Sequence, residues 1–360
     1  MRKFTGLAAM ALLTCATLAL AGCSGSSGSS AKASASTSAS ASASAAPGAD
    51  TAATSDLEAA YQRVVKNVLP SVVQITTTSD LGSGIVYDDK GHIVTNAHVV
   101  GNAKSFKVTL VNSHTPLDAT LVSSYPAQDL AVIALSSPPK GLRAATFGDS
   151  TKVAVGQITL AMGSPLGLSG SVTQGIVSAL GRTVSEGSSG GGTGATISNM
   201  VQTSAPINPG NSGGALVNLA GQVIGIPTLA ATEPGLGDST AAGIGFAIPA
   251  STVTKIANQI VRNGKVTESG RAALGITGRT VLNDNFEAAG VAVVSVTKGG
   301  AASKAGLQAG DIITKVGSSP ITTIESLSEA LAAYAPGDKV AVTFQRGGTT
   351  KTVTVTLGQL

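Results

Sequence analysis

Three residues of this chain have the chemistry to form a covalent bond with a substrate and break it again. Ser212 lies in the pentapeptide GNSGG (210–214), His98 in TNAHVV (95–100) and Asp129 in QDLAV (128–132). A serine hydroxyl is a poor nucleophile at neutral pH, so it needs a base to take its proton and a carboxylate to orient that base. We therefore predict that Ser212 is a nucleophile, His98 a general base and then acid, and Asp129 the orienting carboxylate.

The order of these residues along the chain separates the known arrangements of such a triad. The α/β-hydrolases run Ser, Asp, His and the subtilisins Asp, His, Ser, whereas the order found here belongs to the two-barrel chymotrypsin type. Glycines beside Ser212 let the loop turn tightly and let a substrate carbonyl approach backbone N–H groups. The N–H groups of Gly210 and Ser212 are the predicted oxyanion hole.

The other titratable residues support blander interpretations. His92 and His114 complete the set of three histidines, and both are predicted to lie at the surface; the alternative for His98 is a buried structural histidine. Asp88 and Asp89 precede Lys90-Gly91, which favours a hairpin turn over a cation site. The sequence predicts no metal and no organic cofactor.

Further motifs in the same order carry a family resemblance. They are GSGIV (82–86), GIVSA (175–179) and GIGFAIP (243–249). With the three motifs above, the chain resembles the HtrA/DegP family of trypsin-like proteases with PDZ domains, from about residue 57 onward. The resemblance implies a mainly β fold: a chymotrypsin-like double six-stranded β-barrel over residues 56–264, followed by a PDZ domain over 270–360. It also implies a homotrimer.

Hydrophobic patterning agrees with a mainly β chain. Short β-branched runs separated by turns predict strands at 72–76, 84–87, 92–95, 107–111, 131–135, 157–161, 172–179, 215–218 and 222–226. Many short strands at close spacing predict a barrel or sandwich. Ser55 and Glu58 have capping-box spacing for a helix, and a second helix is predicted from Ser251 to a terminating Gly264.

The final segment has the features of a peptide-binding module. The run AGLQAGD (305–311) and a helix predicted over 324–333 are similar to the PDZ domain of the same family. The resemblance implies that N–H groups near Leu274, Gly275 and Ile276 capture the carboxylate of a C-terminal peptide, which adds as a strand to a sheet edge. The alternative is that Leu274 and Ile276 are only core residues.

The first residues predict export. A basic start, an apolar run over 7–20 and the tetrapeptide LAGC (20–23) predict a lipoprotein signal peptide over 1–22, cleaved before an acylated Cys23. A plain secretory signal with a chance cysteine is the alternative. Residues 23–55, rich in Ser, Ala and Gly, predict a flexible tether, with an alanine-rich helix as the alternative. The predicted location is the extracytoplasmic side of the cell membrane.

Charge and composition narrow the partners. Without Arg2 and Lys3, 21 basic residues face 19 acidic ones, which gives no case for nucleic-acid binding. No acidic residue lies between Gly187 and Ser212, the stretch that includes the floor of the substrate pocket in this fold. We therefore expect the pocket to bind small or medium aliphatic side chains, and unfolded proteins to be the substrates.

Asn211, where digestive relatives carry an aspartate, predicts activation by loop ordering. A chaperone or scaffold with a largely inactive protease fold is the alternative function.

Overall fold

The computed structural model describes residues 48–78, 80–111, 113, 115–164, 170–185, 193, 195–208, 210–232 and 240–360. From Asp50 to Leu360 they belong to one compact unit. The predicted signal peptide, Cys23 and the first part of the tether lie outside the described residues, as does His114. Among the described residues, no helix is long and apolar enough to cross a membrane.

Six antiparallel strands form the first closed barrel, in the order β1-β2-β3-β6-β5-β4. They are β1 Val72–Thr76, β2 Leu81–Val86, β3 His92–Thr95, β4 Ser105–Leu110, β5 Leu117–Tyr125 and β6 Leu130–Leu135. Alternate side chains point inward, and Val73, Ile75, Ile93 and Ile133 are fully buried there. A single helical turn, α2 (Ala97–Val100), follows β3 directly.

A second closed barrel has the order β10-β11-β12-β9-β8-β7. Its strands are β7 Ile158–Gly163, β8 Ser171–Ser185, β9 Thr196–Thr203, β10 Ala215–Val217, β11 Val223–Thr232 and β12 Thr240–Pro249. The core between the barrels includes Val72, Leu130, Leu160 and Ile226. The predicted double six-stranded barrel is therefore confirmed.

Two longer helices pack on the barrels, and each corrects a predicted start. Helix α1 spans Gly48–Val68 and buries Val64 and Val68. It begins before Ser55, so Ser55 is not the start of this helix that the capping-box spacing predicted. Residues 48–55, assigned to the tether from the sequence, are helical, and Ala49, Ala52 and Ala53 among them have high helix propensity.

Helix α3 spans Ala250–Asn263 and ends at Gly264 in the left-handed conformation (φ 71°), as predicted. Its N-cap is Pro249, not Ser251. The Ser251 hydroxyl instead accepts a hydrogen bond from the Ser150 hydroxyl at 2.8 Å, so this polar side chain ties the helix to the loop before β7.

The last part of the chain forms a separate sheet in the order β14-β15-β16-β18-β19. The elements of this part of the chain are β13 Ala272–Ala273, β14 Ile276–Leu282, β15 Ala288–Val296, α4 Ala301–Lys304, β16 Ile312–Val316, β17 Ser319–Pro320, α5 Ile324–Ala332, β18 Lys339–Arg346, β19 Thr349–Thr356 and β20 Gly358–Gln359. Its own core includes Val291, Ile313, Val342 and Phe344.

An ion pair joins Asp311 and Arg346 at the adjacent ends of the paired strands β16 and β18, with the Asp311 side chain 1% and the Arg346 side chain 32% exposed. Arg346 donates from Nε to Asp311 Oδ1 at 2.6 Å and from Nη2 to Asp311 Oδ2 at 2.8 Å, and the Gln308 N–H also donates to Oδ2. Burial raises the pKa of the Asp311 carboxyl, but these hydrogen bonds outweigh it and the net pKa is lowered. Asp311 is thus held as an anion inside the domain.

Arg271 links this domain to the second barrel and to the turn before β6. Its guanidinium donates to the carbonyls of Ala127 at 3.2 Å and Thr196 at 3.1 Å. Burial lowers the pKa of Arg271, yet a guanidinium stays charged at any physiological pH. The contact therefore persists across that pH range.

Candidate active site

The predicted base and carboxylate lie side by side where β3 and β6 pair. His98 belongs to α2, immediately after β3, and Asp129 immediately precedes β6. His98 Nδ1 is 2.8 Å from Asp129 Oδ2, and the His98 backbone N–H donates to Asp129 Oδ1 at 2.9 Å. The Asp129 side chain is fully buried, whereas the His98 side chain is 22% exposed. Because an ionised carboxylate only accepts, Nδ1 carries the proton of a neutral His98 and Nε2 is left as the basic nitrogen.

Asp129 is fixed by more than its histidine. Its backbone adopts a left-handed conformation (φ 47°), which is uncommon outside glycine. The Asn96 side chain donates to the Asp129 carbonyl at 2.9 Å, and the Thr228 hydroxyl donates to Asp129 Oδ2. Several donors therefore hold this buried carboxylate in one orientation.

Thr228 also brings Ser212 to this pair. The Ser212 hydroxyl donates to the Thr228 carbonyl at 3.2 Å, while the Thr228 hydroxyl reaches Asp129. One residue of β11 thus contacts both the predicted nucleophile and the predicted orienting carboxylate. Asp129 contacts His98 directly, and Thr228 links Asp129 to Ser212, so three residues from distant stretches of the chain are connected around one buried carboxylate.

The loop that carries Ser212 is packed too tightly to accept side chains at its glycines. A Cβ atom at Gly213 (φ 80°) would overlap the carbonyl of Ser83, and one at Gly214 would overlap the carbonyl of Met162. The Ser83 N–H donates to the Ser212 carbonyl at 2.9 Å, and the Gly213 N–H donates to the Pro227 carbonyl at 3.1 Å. Backbone from both barrels therefore surrounds the loop.

Asn211 has the uncharged partner expected of an amide. It is 2% exposed, and its Nδ2 donates to the Pro206 carbonyl at 3.4 Å. The Asn211 N–H donates to the Asn208 carbonyl at 3.0 Å, closing a turn just before the nucleophile. Asn211 is therefore held by hydrogen bonds to nearby backbone carbonyls.

A separate cavity of about 540 Å³ contains the residues predicted to capture a carboxylate. Leu274, Gly275 and Ile276 form one side, and residues of α5, including Leu327 and Leu331, form another. Gly275 is left-handed (φ 72°). The carbonyl of Leu274 accepts a hydrogen bond from the Ala302 N–H, and the carbonyl of Gly275 accepts one from the Thr297 N–H. Both carbonyls therefore bond within the domain. Leu274 is only 1% exposed, so it also contributes to the core.

The remaining candidates occupy structural positions. His92 is half-buried in the β2–β3 hairpin, with Nδ1 2.6 Å from Asp88 Oδ2, and Gly91 turns the chain at φ 90°. The predicted hairpin turn is confirmed. Within the described part of the chain, no three His, Cys, Asp or Glu side chains cluster as metal ligands would.

Three residues near the site were not predicted from the sequence: Asn96, Ser83 and Thr228. Asn96 directly precedes α2 and Ser83 lies in the quoted GSGIV motif, so their positions carried a signal, although their partners did not. Thr228 lies beside Pro227 on β11 and is 99 residues from Asp129. Such a distant contact leaves no local pattern.

Comparison with known families defines the class of protein that this fold and site represent. Residues 82–226 match the trypsin-like peptidase domain, and residues 272–357 match the PDZ domain. The architecture is that of a trypsin-like protease followed by a peptide-recognition domain.

The relatives specify the family. Serine protease PepD of Mycobacterium tuberculosis is 39% identical over 83% of this chain and 66% of its own length, and the serine protease Do-like HtrA of Lactococcus lactis subsp. cremoris is 40% identical over 78% and 71%. A probable periplasmic DegP-like endoprotease of Brucella suis is 37% identical, with 52% of its length covered. The chain belongs to the HtrA family of serine proteases, and it spans from about half to 71% of the length of these relatives.

Solved structures agree with this assignment. The HtrA-type protease AlgW with a decapeptide has a TM-score of 0.58 and 29% identity, covering 83% of this chain and 98% of that one. A serine endoprotease from Yersinia pestis has a TM-score of 0.57 and 34% identity, covering 83% and 98%.

Proposed function

We propose that this chain is an extracytoplasmic serine endopeptidase that hydrolyses peptide bonds of unfolded or damaged exported proteins. The observation that supports it best is the buried Asp129, which contacts His98 directly and reaches Ser212 through Thr228. A histidine with only a structural role would not need the buried Asp129 carboxylate at Nδ1. Nor would it need the Ser212 hydroxyl bonded to Thr228, which is the other partner of Asp129.

The first half of the reaction forms an acyl-enzyme. His98 Nε2 takes the proton of Ser212 as its oxygen attacks the scissile carbonyl, and Asp129 stabilises the imidazolium without accepting the proton. The negative oxygen of the tetrahedral intermediate is received by the N–H groups of Gly210 and Ser212. His98 then gives its proton to the departing amine.

The second half returns the enzyme to its starting state. A water molecule enters, His98 removes one of its protons, and the oxygen attacks the ester carbonyl. The same N–H groups bind the second oxyanion. When this intermediate collapses, His98 returns the proton to Ser212 and the carboxylic acid product leaves.

Substrate preference follows from the uncharged surroundings of the nucleophile. No acidic residue occurs between Gly187 and Ser212 in the sequence, so nothing there pairs with a substrate lysine or arginine. Small or medium aliphatic side chains fit such a pocket, and they become accessible when proteins unfold. Damaged exported proteins are the substrates that this chemistry favours.

The PDZ domain supplies a second contact with peptides. A C-terminal carboxylate binds the N–H groups at Leu274, Gly275 and Ile276, and the peptide adds beside β14 in the cavity bounded by α5. The solved relative AlgW was obtained with a decapeptide, which is consistent with such binding here. Homotrimer formation is part of this proposal.

Anchoring completes the proposal. Acylation of Cys23 with two or more chains would hold the enzyme firmly at the membrane, whereas one chain binds only marginally. The Brucella relatives are named as periplasmic enzymes, which favours an extracytoplasmic location. Treating cells with an inhibitor of lipoprotein signal processing should leave a larger precursor, whereas the Cys23→Ala chain should not respond.

The catalytic proposal is tested with a fluorophosphonate probe and with casein as an unfolded substrate. The wild-type chain should label at Ser212 and cleave casein, and Ser212→Ala should lose about 10⁶-fold in turnover. A Ser204→Ala variant is the matched control and should keep its activity, because it removes a half-buried hydroxyl that bonds the Ile176 N–H at 3.0 Å, outside the proposed triad. A wild-type chain that protects casein from aggregation but neither labels nor cleaves it would support the chaperone alternative.

A further inference from the structure

We infer that Ser83 is a positioning residue for the oxyanion hole, acting through its buried hydroxyl. The inference rests on the proposed function, because it concerns the loop that carries Gly210 and Ser212. Ser83 lies on β2 of the first barrel, 127 residues before Gly210 in sequence, and it is completely buried.

The Ser83 side chain holds two backbone groups at once. Its hydroxyl donates to the Gly210 carbonyl at 2.5 Å and accepts from the Ser164 N–H at 2.8 Å. The Ser164 N–H fixes the direction in which the hydroxyl can donate, because the oxygen already accepts from that side. The single proton of Ser83 is therefore committed to Gly210.

The backbone of Ser83 holds the same loop at a second point. Its N–H donates to the Ser212 carbonyl at 2.9 Å, and its own carbonyl accepts from the Thr95 hydroxyl at 2.6 Å. Thr95 ends β3, three residues before His98. Ser83 thus connects the strand that leads to the predicted base with the loop that carries the predicted nucleophile.

These contacts bear on the oxyanion hole through the backbone torsion angles of Gly210. The peptide between Gly210 and Asn211 is held at both ends, its carbonyl by Ser83 and its N–H by the Asn208 carbonyl at 3.0 Å. With that peptide fixed, the direction of the Gly210 N–H is set by ψ of Gly210, the rotation about the bond to the clamped carbonyl carbon, and by φ of Gly210, which is 99°. Glycine is permissive in both angles, so the hydrogen bond to its carbonyl restrains a rotation about ψ that the residue itself leaves free.

Removing the hydroxyl should weaken transition-state binding more than substrate binding. Loss of one oxyanion-hole donor costs about 10²–10³ in kcat, and a misdirected donor should lose part of that, so Ser83→Ala is expected to lower kcat about 10- to 100-fold with little change in KM. Ser83→Cys keeps the shape but donates weakly through S–H, and should resemble Ser83→Ala. Inhibition by a peptide aldehyde, whose adduct places an oxyanion in the hole, should weaken in parallel with kcat.

The matched control is Thr159→Val in β7. Thr159 is completely buried and its hydroxyl bonds the Thr203 hydroxyl at 3.0 Å, within the second barrel. If Ser83 had only a structural role, Ser83→Ala and Thr159→Val would both lose stability. In both, kcat and aldehyde affinity per folded molecule would stay at the wild-type value. That result would overturn the inference. Should Ser83→Ala fail to fold, Ser83→Cys alone decides, since wild-type kcat in that variant also overturns it. A wild-type chain that neither labels nor cleaves would instead refute the proposed function.

Discussion

The loop that carries Ser212 (210–214) and the PDZ loop proposed to bind a carboxylate (274–276) are both glycine turns, yet they are packed in opposite ways. At Gly213 an added Cβ would overlap the backbone of β2, whereas at Gly275 the nearest heavy atom would be 3.7 Å away. Both glycines are left-handed, at φ 80° and 72°. The difference lies in what surrounds them: the first turn is enclosed by its own protein, and the second opens on a cavity.

This contrast reflects two kinds of task. A reaction requires atoms held within a fraction of an ångström, so the loop with Ser212 is bonded to Ser83, Pro227 and Thr228. Recognition of an added strand requires backbone groups left for the ligand, and the loop at Leu274 uses its carbonyls internally while its cavity stays open. Variants of the two loops should therefore fail differently, the first in turnover and the second in affinity.

After Ser212 itself, the largest effect is expected at the buried carboxylate of the catalytic site. Asp129→Asn keeps the shape but can donate to His98 Nδ1, which favours the wrong tautomer and should lower kcat about 10⁴-fold. Steady-state kinetics on a peptide substrate, with PDZ-peptide affinity measured beside it, checks this. Asp118→Asn, whose carboxylate is 71% exposed, is the control, and an equal loss in that variant would contradict the assignment.

A smaller effect is expected in the PDZ cavity. Ile276→Glu places a negative charge where the peptide carboxylate is proposed to bind, and should weaken binding of a C-terminal peptide about tenfold, equivalent to about 1.4 kcal/mol. Fluorescence anisotropy with a labelled peptide measures it. Val294→Glu adds the same charge on neighbouring β15, where the side chain is 52% exposed. If both variants bind equally well, the carboxylate site lies elsewhere.

The smallest effect concerns stability, not function. Asp311→Asn removes the buried anion opposite Arg346 and should lower the Tm of the PDZ unfolding transition by about 5–10 °C at pH 7. The pKa of Asp311 is lower in the folded than in the unfolded protein. Its contribution to the free energy of unfolding is therefore fully present above the unfolded-state pKa and is lost as the pH falls through the folded-state pKa. The Tm difference from wild type should hold from pH 7 to 5 and shrink below about pH 4. A difference that grows on acidification would contradict this.

The sequence predicted the architecture better than it predicted every strand. Strands with β-branched runs, such as β1 and β6, were found because a continuous apolar run or alternation is a local signal. Strands β5, β9 and β12 were missed: β5 has polar residues at 118, 120, 123 and 124, β9 contains Asn199 at φ 62°, and β12 contains two glycines and ends in proline. Barrel closure supplies their hydrogen bonds, so their backbone conformation depends on neighbours distant in sequence.

The candidate site divides in the same way. His98, Asp129 and Ser212 were predicted because motifs surround them, but their partners Thr228 and Ser83 were not. A contact such as Ser83 to Gly210 crosses from one barrel to the other, and only the assembled fold brings the two together.

The close packing of Gly213 and Gly214 has a consequence for how this protein can evolve. Backbone carbonyls from two strands occupy the space where any other side chain would begin, and backbone cannot move aside as a flexible side chain can. In a library covering all substitutions at 210–214, survivors selected for proteolysis should retain glycine at these two positions. Lineages that drift away from glycine there have exchanged catalysis for another use of the same scaffold.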